Sequence, residues 1–259
     1  MWCGVITLFP SMFLAIQQEG IIARAIKNGV LTVETWNLRN FASDKHATVD
    51  DRPFGGGPGM VMMASPIRAA ITAAKAAATS RARVIYVTPA GKRFDHQVAK
   101  KLAEDQQPLI FIAGRYEGID QRVIERDVDE QFSIGDYVLS GGELAIMVMI
   151  DAMTRWLPGA LGHAESASYD SFSEDNLGLL DCPHYTRPAL LPGEPVPEVL
   201  LNGDHQAIAL WRKKQALGQT WLNRPELLNA MTLNKDCQQL LKEFQQEYAA
   251  EIKINEERS

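Results

Sequence analysis

The stretch Phe132-Ser133-Ile134-Gly135-Asp136-Tyr137-Val138-Leu139-Ser140-Gly141-Gly142-Glu143 is a poor helix. Three glycines sit among β-branched and aromatic residues, which disfavour helical backbone. It is also too apolar for a plain surface loop, because Ile134, Tyr137, Val138 and Leu139 favour burial. Glycine lets main-chain groups approach a neighbour with no Cβ in the way. The stretch therefore reads either as a pair of tight turns in a core or as backbone pressed against a ligand. A helix predicted over 143–156 would aim its free N–H groups at the same place.

Upstream, the pattern repeats. A buried strand over 109–113 stops at Gly114-Arg115-Tyr116-Glu117-Gly118-Ile119-Asp120, and one over 84–88 stops at Pro89-Ala90-Gly91-Lys92. Three successive strands thus end in glycine or proline turns. In open α/β sheets the ligand sits outside the carboxyl ends of the strands, so the three turns together point to one crevice. No Gly-x-Gly-x-x-Gly follows the first strand, which argues against a dinucleotide. The walls formed by Ile134, Tyr137 and Leu139 suit a flat base or a thioether.

The beginning of the chain fits the same architecture. A strand over 5–9, a helix over 12–27 and a strand over 30–38 make a βαβ unit, hence a parallel sheet. The apolar start lacks a basic flank and a cleavage site, so it reads as a strand and not a signal peptide. Helices are predicted over 66–80 and 95–105. Residues 39–59 have no periodicity and end in Pro53-Phe54-Gly55-Gly56-Gly57-Pro58-Gly59, which lacks the Gly-Lys-Ser/Thr of a P-loop. This loop is either a lid tip or a substrate contact.

Beyond Pro158-Gly159 the composition changes. Residues 160–180 read as a linker. Prolines 183, 188, 192, 195 and 197 punctuate an extended segment, and helices are predicted over 206–217, 225–230 and 236–252. With 259 residues, 46% hydrophobic, the chain has room for two domains. No apolar run reaches membrane-spanning length. Three widely separated cysteines, Cys3, Cys182 and Cys237, fit no zinc spacing and suit a reducing cytoplasm. A net charge of −6 gives no support to a nucleic-acid partner, although local patches outweigh the sum. Arg212, Lys213, Lys214 and Arg224, beside Trp211 and Trp221, read either as a solvated helix face or as an RNA surface.

Several of these stretches together resemble the bacterial tRNA (guanine-N1)-methyltransferase family. They are Phe54 to Met60, Gly114 to Asp120, Ser133 to Leu144, Leu180-Asp181-Cys182-Pro183-His184-Tyr185-Thr186-Arg187-Pro188, and Trp211-Arg212, Thr220-Trp221 and Arg224 to Leu228. The resemblance spans nearly the whole chain. It implies a SPOUT-type α/β fold with a deep trefoil knot over 1–161, a linker over 162–176 and a small helical tRNA-binding domain over 177–259. It implies a cytoplasmic homodimer with shared sites, methylating guanosine 37 of tRNA from S-adenosylmethionine, with no membrane partner. The cofactor loops would correspond to Pro89, to Gly114, Tyr116, Glu117 and Gly118, and to Ile134, Gly135, Asp136, Tyr137, Val138, Leu139, Gly141 and Gly142.

By the same resemblance Asp170 is the general base that removes the N1 proton, and Arg155 stabilises charge growing on guanine O6. The family is magnesium-dependent, yet no ligand cluster in the sequence places the ion. Read without the family, Asp170 caps a following helix, Arg155 is a C-terminal helix charge, Glu117 pairs with Arg115 at the surface, and His184 is structural. A non-catalytic RNA-binding module and a small-molecule nucleotide enzyme are the rival functions. Intact Asp170 and Arg155 weigh against the first, and the basic, tryptophan-bearing second domain weighs against the other.

Overall fold

Leu109–Ala113 carries no polar side chain, and all five residues are buried. Such a strand needs cover on both faces, as in a parallel sheet flanked by helices. The computed structural model, which describes residues 1–162 and 170–257, has that arrangement. The chain divides into two compact units, Met1–Ala164 and Glu165–Ser259. Residues 163–169 of the predicted linker lie outside the described residues.

The first unit runs β1 (Trp2–Thr7), α1 (Leu14–Gln18), α2 (Gly20–Lys27), β2 (Thr32–Asn37), β3 (Asp50–Asp51), β4 (Val61–Met62), α3 (Ala64–Ala77), β5 (Arg83–Arg93), α4 (His96–Glu104), β6 (Leu109–Ala113), α5 (Gln121–Asp127), β7 (Glu130–Ser133) and α6 (Glu143–Thr154). The central sheet is parallel, in the order β2-β1-β6-β5-β7. Ile22, Ala25, Leu102, Met149 and Met153 bring α2, α4 and α6 into one core layer. Ile67, Ile71, Ala74 and Val123 bring α3 and α5 into the other.

Three expectations are corrected. The single helix predicted over 12–27 breaks at Glu19, which is extended, and restarts at Gly20, whose φ of +74° a helix cannot accommodate. Helix α5 is absent from the sequence reading. Its signal is Asp120, whose side chain accepts from Arg122 N–H at 2.9 Å and caps the helix. The Arg122 guanidinium holds the Asp120 carboxyl down at about 2.

The third correction matters most. Pro89-Ala90-Gly91-Lys92, predicted as a turn, is extended, and β5 continues to Arg93. Phe132 of β7 pairs with Val87 and again with Lys92. Phe94 N–H then donates to Ser133 O at 2.8 Å. Between the two pairings the chain passes against the β7 backbone. A Cβ on Gly91 would lie 2.4 Å from Phe132 N and 2.6 Å from the Gln131 carbonyl carbon. Proline and glycine here mark a close crossing of extended chain, for which the sequence offers no signal distinct from a turn.

In the second unit, β8 (Leu190–Leu191) and β9 (Glu194–Pro195) form a small hairpin. Then come α7 (His205–Asn223), α8 (Pro225–Asn229) and α9 (Lys235–Glu257). Leu179, Ala216, Leu217, Cys237 and Leu240 make its core. Helix α7 extends six residues beyond the predicted end at 217, continuing through Gly218.

Candidate active site

The middle of β5 and the loops that follow β6 and β7 enclose a crevice of about 310 Å³. Its lining includes Pro89, Gly114, Tyr116, Glu117, Gly118, Ile134, Gly135, Tyr137, Val138, Leu139, Gly141 and Gly142. Of the positions singled out in the three turns, Asp136 alone is outside the lining, exposed between two residues that line it. Tyr86, Val87, Thr88, Ser133 and Ala145 also line the crevice and were missed. They sit on strands and a helix, where nothing in the sequence separates a ligand contact from a core position.

Two loops make the crevice by pressing on each other. Gly142 N–H donates to Gly114 O at 2.9 Å, and Arg115 and Gly141 form an antiparallel bridge. A side chain at Gly142 would collide with Ala113 Cα at 2.9 Å. Tyr116 holds a φ of +58°, a left-handed conformation that costs a non-glycine residue about 1–3 kcal/mol. Burial pushes the Tyr86 hydroxyl above its usual pKa.

One charge network anchors the site. Glu143, at the start of α6, is fully buried. It accepts from Arg115 Nε at 2.9 Å and from the Thr7 hydroxyl at 2.8 Å. Arg115 Nη1 also donates to Ser140 O at 3.1 Å, and its guanidinium lies over the Phe9 ring at 4.4 Å. The surface pairing of Glu117 with Arg115 is therefore replaced by a buried pairing with Glu143. Glu117 lines the crevice with its side chain against Gly59. Arg115→Ala would leave a buried carboxylate without its cation, a loss of about 3 kcal/mol. Urea unfolding should show it, and Arg115→Ala with Glu143→Leu should recover most of it. A single variant as stable as the parent would contradict this account.

Arg155 is half-buried and caps the carboxyl end of α6. That helix has twelve residues, so Arg155 lies about 18 Å from the end that closes the crevice. Within one chain the structure does not bring Arg155 to the crevice. Asp170 is half-buried in the second unit, and its backbone carbonyl accepts from Ser173 N–H at 3.2 Å. Among the described residues no helix begins at Asp170, so the capping role has no helix to serve.

The second unit sorts the basic residues. Lys214 pairs with Glu247 at 2.6 Å, Arg224 pairs with Glu226, and Trp221 packs edge-on against Tyr248. Trp211 and Arg212 instead line a cavity of about 280 Å³ with His184, Tyr185 and Arg187. The ligand atoms of Asp181, Cys182 and His184 lie within 4.8 Å of one another. That thiol-bearing set does not suit magnesium, which takes carboxylate, carbonyl and water oxygens. Glu117 is the single carboxylate of the crevice lining. Among the described residues no cluster of oxygen ligands marks a magnesium site.

Fold and crevice define an α/β protein with a parallel sheet and, beside its strands, a concavity of the size a small ligand needs. The family model described as tRNA (Guanine-1)-methyltransferase TrmD matches residues 1–230. The chain is 57% identical over 251 residues to a tRNA (guanine-N(1)-)-methyltransferase of Pectobacterium carotovorum, covering 97% of this chain and 98% of that one. It is 56% identical over 249 residues to the enzyme of that name from Escherichia fergusonii, covering 96% of each. The chain belongs to the tRNA (guanine-1)-methyltransferase family. The resemblance carried by the sequence motifs is borne out.

Proposed function

We propose that this protein methylates N1 of guanosine 37 in tRNA, using S-adenosylmethionine, as a cytoplasmic homodimer. The observation that carries the reading is the crevice. The middle of β5 and the loops after β6 and β7 converge on it, Ile134, Tyr137, Val138 and Leu139 give it apolar walls between polar side chains, and its glycines let main-chain groups approach. That combination suits an adenine ring and a thioether arm. The donor supplies a methyl group on a positive sulfur. Glu117 places one carboxylate beside it, and Arg115 adds little opposing charge because Glu143 neutralises it.

Asp170 accepts the guanine N1 proton, freeing the electron pair that forms the new N–C bond as the S–C bond breaks. Arg155 faces the negative charge growing on O6. Helix α6 holds Arg155 about 18 Å from its own crevice, so the reading requires the arginine to serve a second copy. Leu144 and Val148, one turn apart on α6, are each 50% exposed, as expected of a face that a partner covers. Residues 1–161 would be the cofactor domain, 162–176 the linker and 177–259 the tRNA-gripping domain. The double pairing of Phe132, with Val87 and again with Lys92, is the observation that favours a trefoil knot. Among the described residues no helix is long and apolar enough to cross a membrane.

Tritiated S-adenosylmethionine should label a tRNA transcript carrying guanosine 37 preceded by guanosine. Equal labelling after guanosine 37 is replaced would sink the proposal.

A further inference from the structure

A second concavity, of about 730 Å³, lies along β5, β7 and α4 of the first unit. Arg81, Arg83, Lys92, Arg93 and Lys101 line it, against the carboxylates of Asp129 and Glu130. These basic residues are scattered over 21 positions and form no run in the sequence. They meet only because β5 continues to Arg93 and α4 packs beside it. We propose that this groove binds the phosphodiester backbone of RNA, which on the methyltransferase reading above means a second grip on the tRNA substrate.

The charges divide into a fixed floor and a free rim. Arg83 is held by Glu130 at 3.1 Å, Asp105 at 3.2 Å and Gln107 at 2.8 Å. Asp129 accepts Val84 N–H at 2.7 Å. Glu130 and Asp129 are thus engaged with the floor. Arg81, Lys92, Arg93 and Lys101 are exposed, and among the described residues none has an ion-pair partner. Four like charges converging on one concavity repel each other until a polyanion enters. On a chain of net charge −6 such a patch is a local exception, and it supplies the basic footprint that overall composition lacks. The one aromatic residue of the lining, Phe132, is buried, so the groove offers no exposed ring for a base to stack on and suits phosphates.

The test is salt dependence. Each phosphate contact adds about 0.7–0.9 to the slope of log Kd against log salt. The triple variant Arg81→Gln, Lys92→Gln, Lys101→Gln should lower the slope for a tRNA transcript by about 2, by fluorescence anisotropy from 50 to 300 mM KCl. Arg81→Lys, Lys92→Arg, Lys101→Arg should keep the parent slope, which separates lost charge from lost fold. Affinity for S-adenosylmethionine, whose crevice these side chains do not line, serves as a second check on folding and should not move. An unchanged slope in the glutamine variant overturns the groove. So does a dependence on these residues seen with polyglutamate and not with RNA. Neither result touches the labelling assay, whose failure would sink the methyltransferase reading separately.

Discussion

Asp170→Asn is expected to lower methyl transfer to tRNA by about 10²- to 10⁴-fold, the usual worth of a placed general base. The substitution keeps the shape and removes the proton acceptor. Asp170 is in the second unit and is not among the residues lining the crevice of the first. Calorimetric affinity for S-adenosylmethionine should therefore be unchanged. Lost cofactor affinity would mean that the role is misassigned, and full turnover would mean that another group takes the proton. The geometry of α6 extends the test. A site that needs Arg155 from one chain and Asp170 from the other should reappear when Arg155→Ala and Asp170→Asn chains are mixed. The mixed dimer then holds one site with both residues intact. No recovery at any mixing ratio would place both residues on one chain and sink the site shared between them.

Gly91→Val should be strongly destabilising to the first unit. The new Cβ would fall 2.4 Å from Phe132 N, and its neighbours there are backbone atoms of β7. A flexible side chain can swing aside, but a paired strand cannot without breaking its ladder. Overpacking in ordinary cores costs about 1–3 kcal/mol, and here the cost should lie at or above that range. For a chain of this size, a fall in Tm on the order of 10 °C is expected. Cofactor binding should be lost as well, because Pro89 and Ile134 lie on the two segments that cross. Unfolding by circular dichroism checks the first, and calorimetry with S-adenosylmethionine the second. A variant with parental Tm would show that β5 does not pass so close to β7.

The two substitutions probe different kinds of information. Asp170 was picked out by its motif, and its proposed role concerns chemistry. Gly91 was visible as a glycine, yet its reason was not. A Pro-x-Gly sequence promises a turn by local preference. The alternative, extended chain laid across another strand, depends on what is packed alongside some forty residues later. The break at Gly20 had a local signal in the glycine itself, but the apolar stripe over 12–27 continues across it and masked that signal. In the crevice, the glycine-rich turns exposed nearly every lining loop residue to sequence reading. Tyr86 and Thr88 escaped because a buried strand residue looks the same whether it faces a core or a ligand.

The amino-acid order alone determined the parallel α/β class, the turns after β6 and β7 and the family, because apolar periodicity, glycine placement and contiguous motifs are all local properties. Tertiary structure decided which charges meet. Arg115 reaches Glu143, 28 positions away, and not Glu117 two positions away. A carboxylate buried at the start of an apolar helix must have a cation, whereas Glu117 can face water or ligand. It also decided that Arg155 stands a full helix away from the crevice, and that five scattered basic residues share one groove. Neighbours in space are chosen by burial and charge balance across the whole fold, which spacing along the chain does not record.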